Sequence, residues 1–280
     1  MNFNKLKEKK AILIAHFGTT HEDTKLKTID EINKKIKEKY EEIDLFQVYT
    51  SRIINRILLK RGIENLNTSQ MLKKLKEDGY KNILIQPTYI INGTEMEALK
   101  REVEIHLSSF NEIRVGNPLL STPENYKMVV EALSQEIGDL SDDEGVVFVG
   151  HGTEHSATSA YPMLDYVAKA LGKKFYIGTV EGYPTIENVI DLLKKDRINK
   201  VKLMPLMFVA GDHAKNDIAE DWKEELEANG FEINLDLRGL GEISKIQDIY
   251  LKNIKSIFEF APEDILKKKK DYEKGKESNH

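Results

Sequence analysis

At 280 residues and 40% hydrophobic content, the chain is long enough for two α/β domains of ordinary size or one large one, which argues against a disordered or purely structural role. Its 47 acidic and 42 basic residues are spread along the sequence and leave a net charge of -5, so no global basic field exists to hold nucleic acid or an anionic membrane. The absence of cysteine excludes disulfides, thiolate catalysis, cysteine-held iron–sulfur clusters and zinc fingers, and fits a reducing cytoplasm.

Met1 to Lys10 is polar and basic, and the apolar run after it, Ala11–Ala15, is too short for a signal sequence or a membrane span. The protein is therefore expected to stay in the cytoplasm. Short apolar runs follow at Leu45–Tyr49, Ile83–Gln86, Ile113–Val115, Val146–Val149, Phe175–Val180, Val201–Leu206 and Ile233–Leu237. Alternation of such runs with longer amphipathic stretches is the pattern of βα units on a parallel sheet. Between them Ile29, Ile32, Ile36 and Tyr40 recur at helical spacing, as do Met71, Leu72 and Leu75 ahead of Gly79, a helix C-cap residue. Thr122-Pro123-Glu124 reads as an N-cap followed by proline at the first helical position, and Pro184 is expected to open a helix in the same way. Beyond Pro262 the chain turns lysine-rich and reads as a solvated, poorly ordered tail.

The two halves repeat weakly. The first opens with a strand ending Ala15-His16-Phe17-Gly18-Thr19, and the second with one ending Gly150-His151-Gly152-Thr153. Each half later carries a strand ending in proline with a glycine six residues on, Pro87 to Gly93 and Pro205 to Gly211, and two residues further stand Glu95 and His213. Any two βα domains share strand–glycine loops, but the ordered set predicts two similar α/β domains, 1–140 and 141–262, followed by a charged tail at 263–280.

In open parallel sheets the functional crevice lies outside the carboxyl ends of the strands. His151 and Glu181 each directly follow an apolar run in the second half, and His213 comes shortly after a third. Two imidazoles and a carboxylate at one mouth suit divalent cobalt, iron, nickel or zinc, with coordination positions left open for exchange. Taken singly, each histidine would more often be a hydrogen-bonded loop residue, and Glu181 would bond a helix N-terminus equally well. Their shared placement at strand ends of one half is what sets them apart.

Other features are weaker. His16 is the counterpart of His151 and reads as a second site, a substrate contact or a relic. His155 shares a loop with His151 and could support it, while His21, His106 and His280 read as surface. The Gly18-Thr19-Thr20 turn could present backbone N–H groups to an anion. Neither a P-loop nor a dinucleotide fingerprint is present. Arg52, Arg56, Lys60 and Arg61 fall at helical spacing and would either meet substrate carboxylates or form a solvated face. Tyr89 and Phe208 fit a macrocycle pocket and core packing equally well.

Phe17-Gly18-Thr19, Ile90-Ile91-Asn92-Gly93, Gly150-His151-Gly152, Val180-Glu181-Gly182-Tyr183-Pro184 and Met204-Pro205-Leu206-Met207 through Ala210-Gly211-Asp212-His213 together resemble the anaerobic sirohydrochlorin cobaltochelatases of the CbiK type. The similarity runs from about Lys10 to about Phe260, and Ala210 to Asp217 is its most specific segment. The resemblance implies a chelatase-like fold of two Rossmann-like domains with parallel sheets flanked by helices, the substrate in the cleft between them and the metal site in 141–262, and Co2+ insertion into sirohydrochlorin without ATP or an organic cofactor. It assigns the family's two histidines and glutamate to His151, His213 and Glu181. His16 departs from the serine or alanine of many members, and leaves the first-half site open between a substrate contact and the strand-end histidine of smaller, ancestral-type chelatases. Some members are exported and bind haem; without their signal peptide this chain is expected to be the cytoplasmic, cobalamin-pathway form.

On this reading His151 and His213 hold the metal and accept the pyrrole protons, Glu181 completes the coordination, and His16, Thr19, Arg52, Tyr89 and Glu95 contact the macrocycle. Iron or nickel insertion is the nearest rival, because ligand type does not separate these cations. A non-enzymatic metal or tetrapyrrole carrier is the rival from another class. No nucleic acid or membrane partner is expected, and a homo-oligomer stays open.

Overall fold

The computed structural model describes residues 3, 6, 8–211, 214–260 and 265–273, excluding the side chains of 214–216, 265–267 and 271. Asp212, His213 and His280 lie outside the described residues.

The strands are β1 (Lys10–His16), β2 (Asp44–Tyr49), β3 (Asn82–Pro87), β4 (Glu112–Val115), β5 (Glu144–Gly152), β6 (Phe175–Glu181), β7 (Lys200–Pro205) and β8 (Glu232–Leu235). Every apolar run in the sequence overlaps one of them, the Val201–Leu206 and Ile233–Leu237 runs extending one and two residues past β7 and β8. Among the described residues they form two parallel four-stranded sheets, ordered β2-β1-β3-β4 and β6-β5-β7-β8. The identical order is the internal repeat seen in three dimensions. Parallel strands covered by helices on both faces are apolar throughout: Ala11 to Ala15 of β1 are all fully buried, and each large aliphatic side chain among them contributes roughly 1.5–3 kcal/mol.

The helices are α1 (Glu22–Lys25), α2 (Glu31–Lys39), α3 (Arg52–Lys60), α4 (Thr68–Glu77), α5 (Thr94–Glu104), α6 (Pro123–Ile137), α7 (Ala160–Ala170), α8 (Ile186–Lys195), α9 (Lys223–Ala228), α10 (Ser244–Glu259) and α11 (Ile265–Glu273). A π-helical turn, Leu26–Asp30, joins α1 to α2. Thr122 caps α6 as its sequence predicts, its hydroxyl accepting from the Asn125 N–H. Pro184 does not open α8. Thr185 is the N-cap, its N–H donating to the Asn188 side chain, while the Pro184 carbonyl accepts from Thr179. Within the stretch expected to be a solvated tail, α11 is helical, with Lys269, Lys270 and Tyr272 exposed.

Two helices are exchanged between the halves. α6 follows the first sheet but packs on α7 of the second, and α10 follows the second sheet but packs against β3 of the first. Buried Arg114 on β4 holds the end of α10, donating to the Ile257 and Phe258 carbonyls at 2.6 and 3.1 Å. The Tyr250 hydroxyl, also on α10, lies 3.1 Å from the Thr88 and Tyr89 carbonyls at the end of β3. One buried cluster consequently runs from Ile12, Ile14 and Leu84 of the first sheet to Phe148, Ile177 and Met204 of the second. The carboxyl ends of both sheets open onto one cleft between the halves. No helix among the described residues is long and apolar enough to cross a membrane.

Candidate metal and substrate cleft

The cleft has a volume of about 720 Å³ and takes its lining from both halves, a size in the range of small-molecule and cofactor sites. Its second-half wall starts from the pairing of β5 with β6, in which Gly152 is the register partner of Glu181. Gly152 adopts φ 83°, and a Cβ there would overlap the Glu181 carbonyl oxygen, so only glycine permits the two strand ends to close this tightly. That approach delivers half-buried His151 and exposed Glu181 to the same mouth. His151 Nδ1 lies 3.3 Å from the Gly152 carbonyl. A proton on Nδ1 would satisfy that contact.

Gly211 also borders the cleft, but the third ligand implied by the resemblance, His213, lies outside the described residues. Among the described residues no three histidine, aspartate or glutamate side chains form a metal-holding group.

The first-half wall is built differently. His16 ends β1 with 1% of its surface exposed. Its Nδ1 lies 3.0 Å from the Thr88 hydroxyl and its Nε2 3.2 Å from Asn33 Oδ1, and the Asn33 amide in turn donates to Gln47. Burial lowers its pKa to about 4, only partly offset by the Asn33 hydrogen bond and Asp30. His16 is thus a neutral part of the wall with both ring nitrogens engaged by protein groups, which argues against a substrate contact or second metal ligand. Phe208 of the second half lies 6.1 Å from its ring.

Tyr89 and Thr19 are likewise buried while bordering the cleft. The Thr19 hydroxyl accepts from the His21 N–H, and the Tyr89 hydroxyl donates to Thr50 Oγ1 at 3.0 Å. Glu95, in the first turn of α5, is open to the cleft on the same wall. Partial desolvation and the neighbouring Glu102 carboxylate push its carboxyl up, against a hydrogen bond from Thr50 that pulls it down.

Arg52 does not join this wall. The Ser51 hydroxyl caps α3 by accepting from the Ile54 N–H, and in that phase Ile53, Ile54 and Ile57 line the cleft while Arg52 and Arg56 are exposed outside it. Arg61 reaches the rim, donating to the Thr20 carbonyl at 2.7 Å. Of the histidines expected at the surface, His21 is half-buried and borders the cleft. His106 is buried, bonded to Ser69 at 2.7 Å and lowered in pKa by that burial.

The chain matches the cobalt chelatase (CbiK) family over residues 10–259. It is 38% identical over 261 residues to the sirohydrochlorin cobaltochelatase of Salmonella typhimurium, spanning 91% of this chain and 99% of that protein. To the sirohydrochlorin cobaltochelatase CbiKC of Nitratidesulfovibrio vulgaris it is 31% identical over 255 residues, spanning 88% and 89%. Its fold is similar to that of SirB from Bacillus subtilis, solved with Fe3+, with a TM-score of 0.64 at 15% identity over 89% of this chain and 95% of that one. The match across both halves, together with the paired strand ends that present His151 and Glu181, identifies this chain as a member of the cobalt chelatase (CbiK) family.

Proposed function

We propose that the protein inserts Co2+ into sirohydrochlorin in the cleft between its two halves, without ATP or an organic cofactor, as a cytoplasmic enzyme of cobalamin synthesis. The observation that carries this reading is the placement of His151 beside Glu181 at paired strand ends facing an interdomain cleft, in a chain similar along its length to proteins named for that reaction.

Insertion requires that the cation shed water and that two pyrrole N–H protons leave. His151 and His213 hold the metal on the second-half side, with Glu181 offsetting its charge, and the imidazoles take up protons as the metal passes to the macrocycle. Ile53, Ile54 and Ile57 give the macrocycle an apolar wall to lie against. Glu95 belongs to the opposite wall, and the upward push on its carboxyl from desolvation and Glu102 makes it a stronger base than a free carboxylate. Neutral imidazole is the ligating form, so turnover should fall on acidification.

The test is an anaerobic absorbance assay with limiting protein, sirohydrochlorin, and Co2+, Fe2+ or Ni2+ alone and in competition, with and without ATP. Repeated turnover with Co2+ preferred and no response to ATP is expected. Preference for Fe2+ or Ni2+ would overturn the assignment of cobalt.

A further inference from the structure

We propose that His155 is a positioning residue for metal insertion, acting with Glu97 to hold the second-half loop that follows His151 against the first-half helix that carries Glu95. The proposal rests on the cleft's proposed function. His155 Nε2 lies 3.0 Å from Glu97 Oε1, a contact between the halves beside the cleft. One turn earlier on the same face of α5, a Cβ on Gly93 would come within 3.8 Å of the Ala157 side chain. Segment 155–157 is therefore tied to α5 by the His155–Glu97 hydrogen bond, with Ala157 lying near Gly93, the N-cap of that helix.

The donor is oriented from within its own segment. His155 Nδ1 accepts from the Ala157 N–H at 3.0 Å, which leaves the ring proton on Nε2, aimed at the carboxylate. That hydrogen bond is the main reason the Glu97 carboxyl is held below its usual range, with Arg101 and Lys100 adding to the effect. The loop behind the ring is tied as well. The His155 N–H donates to Thr153 Oγ1, and Thr158 donates through its N–H to the His155 carbonyl and through its hydroxyl to the Tyr183 carbonyl, two residues beyond Glu181. The ends of β5 and β6 are thus linked to one segment, and that segment is linked to α5.

Glu95 and Glu97 are two positions apart and so leave α5 in different directions: Glu95 borders the cleft, and Glu97 meets the other half. The Glu97 and His155 side chains are 48% and 26% exposed, and a solvent-exposed pair of this kind adds little to folding stability. Its consequence is the spacing of the two walls. Reacting groups displaced by about 1 Å can lose on the order of 100-fold in rate, so a tie that fixes wall spacing acts on turnover.

The experiment compares Glu97→Ala, His155→Ala, the double variant and Glu97→Gln in the cobalt assay. It adds electron paramagnetic resonance distances between spin labels at Glu104→Cys and Ala170→Cys, placed in this naturally cysteine-free chain. Each alanine variant should lose roughly 10-fold in kcat with KM for either substrate within about 2-fold. The double variant should be no worse than the singles, because they break one contact. Glu97→Gln, which keeps an acceptor oxygen, should recover most of the rate, and the label distances should broaden in Glu97→Ala alone of these two. Unchanged label distances in Glu97→Ala, unchanged kcat, or losses that multiply in the double variant would overturn the proposal. If the unmodified protein turned over no sirohydrochlorin, the proposed function would fall while the label distances still decided the tie.

Discussion

Gly152 and Glu181 sit opposite one another on β5 and β6, so close that a side chain on Gly152 would overlap the Glu181 carbonyl oxygen. This single approach brings a histidine and a carboxylate to adjacent strand ends. Gly152→Ala should therefore push the strand ends apart and also force alanine into a positive φ, costing at least about 1 kcal/mol. Cobalt insertion and the thermal midpoint should fall together, and a variant that retained both would show that the close approach is dispensable.

Glu95 faces this pair from the other wall, its carboxyl raised by desolvation and then by Glu102. Glu95→Gln should lower kcat by roughly 100-fold, the scale of a lost general base, while Co2+ binding measured by titration calorimetry stays near that of the parent. Glu102→Gln removes a like charge, so the acid limb of the kcat profile should move to lower pH. Movement to higher pH would contradict the electrostatic assignment.

His16 makes a separate, pH-dependent contribution to stability. Its ring ionises near 6.5 in the unfolded chain and near 4 in the fold. Between those values the unfolded state binds more protons, so stability rises with pH. The contribution is fully present above about pH 6.5 and lost progressively toward pH 4, amounting to at most about 3 kcal/mol. Urea midpoints of the protein and of His16→Gln should converge as pH falls through that window. Parallel curves would contradict a buried neutral His16.

Arg114 tests the exchange of helices between halves. With 1% of its surface exposed, it pairs with Glu112 and caps the last carbonyls of α10. Arg114→Met should cost about 2–3 kcal/mol, because two buried carbonyls and the half-buried Glu112 carboxylate lose their partner. Urea denaturation measures this directly, and a cost below about 0.5 kcal/mol would mean that α10 docks without it.

Strands and repeat were legible in the sequence because a parallel sheet covered on both faces writes itself as continuous apolar runs, as at Ala11–Ala15 and Val146–Val149. The strand-end placement of His151 and Glu181 followed from those runs. Contacts made across the fold left no local signal. The reach of Tyr250 to Thr88 and Tyr89, the burial of His106 against Ser69, and the meeting of His155 with Glu97 join residues 161 or 162, 37 and 58 positions apart. Arg52 was misplaced for a related reason: helical spacing groups the basic residues but does not say which face of α3 the Ser51 cap turns toward the cleft. Pro184 misled because a proline beside a helix start fits either side of the N-cap, and Thr185 took that role.

The most direct test of the whole account is the number of sirohydrochlorin molecules converted per chain with Co2+ in excess under anaerobic conditions, for the unmodified protein and for His151→Ala. The account predicts many equivalents of cobalt-sirohydrochlorin for the first and less than one for the second. A yield that stops at one equivalent in the unmodified protein would mark a carrier, and undiminished turnover in His151→Ala would show that the paired strand ends of β5 and β6 are not where the metal is handled.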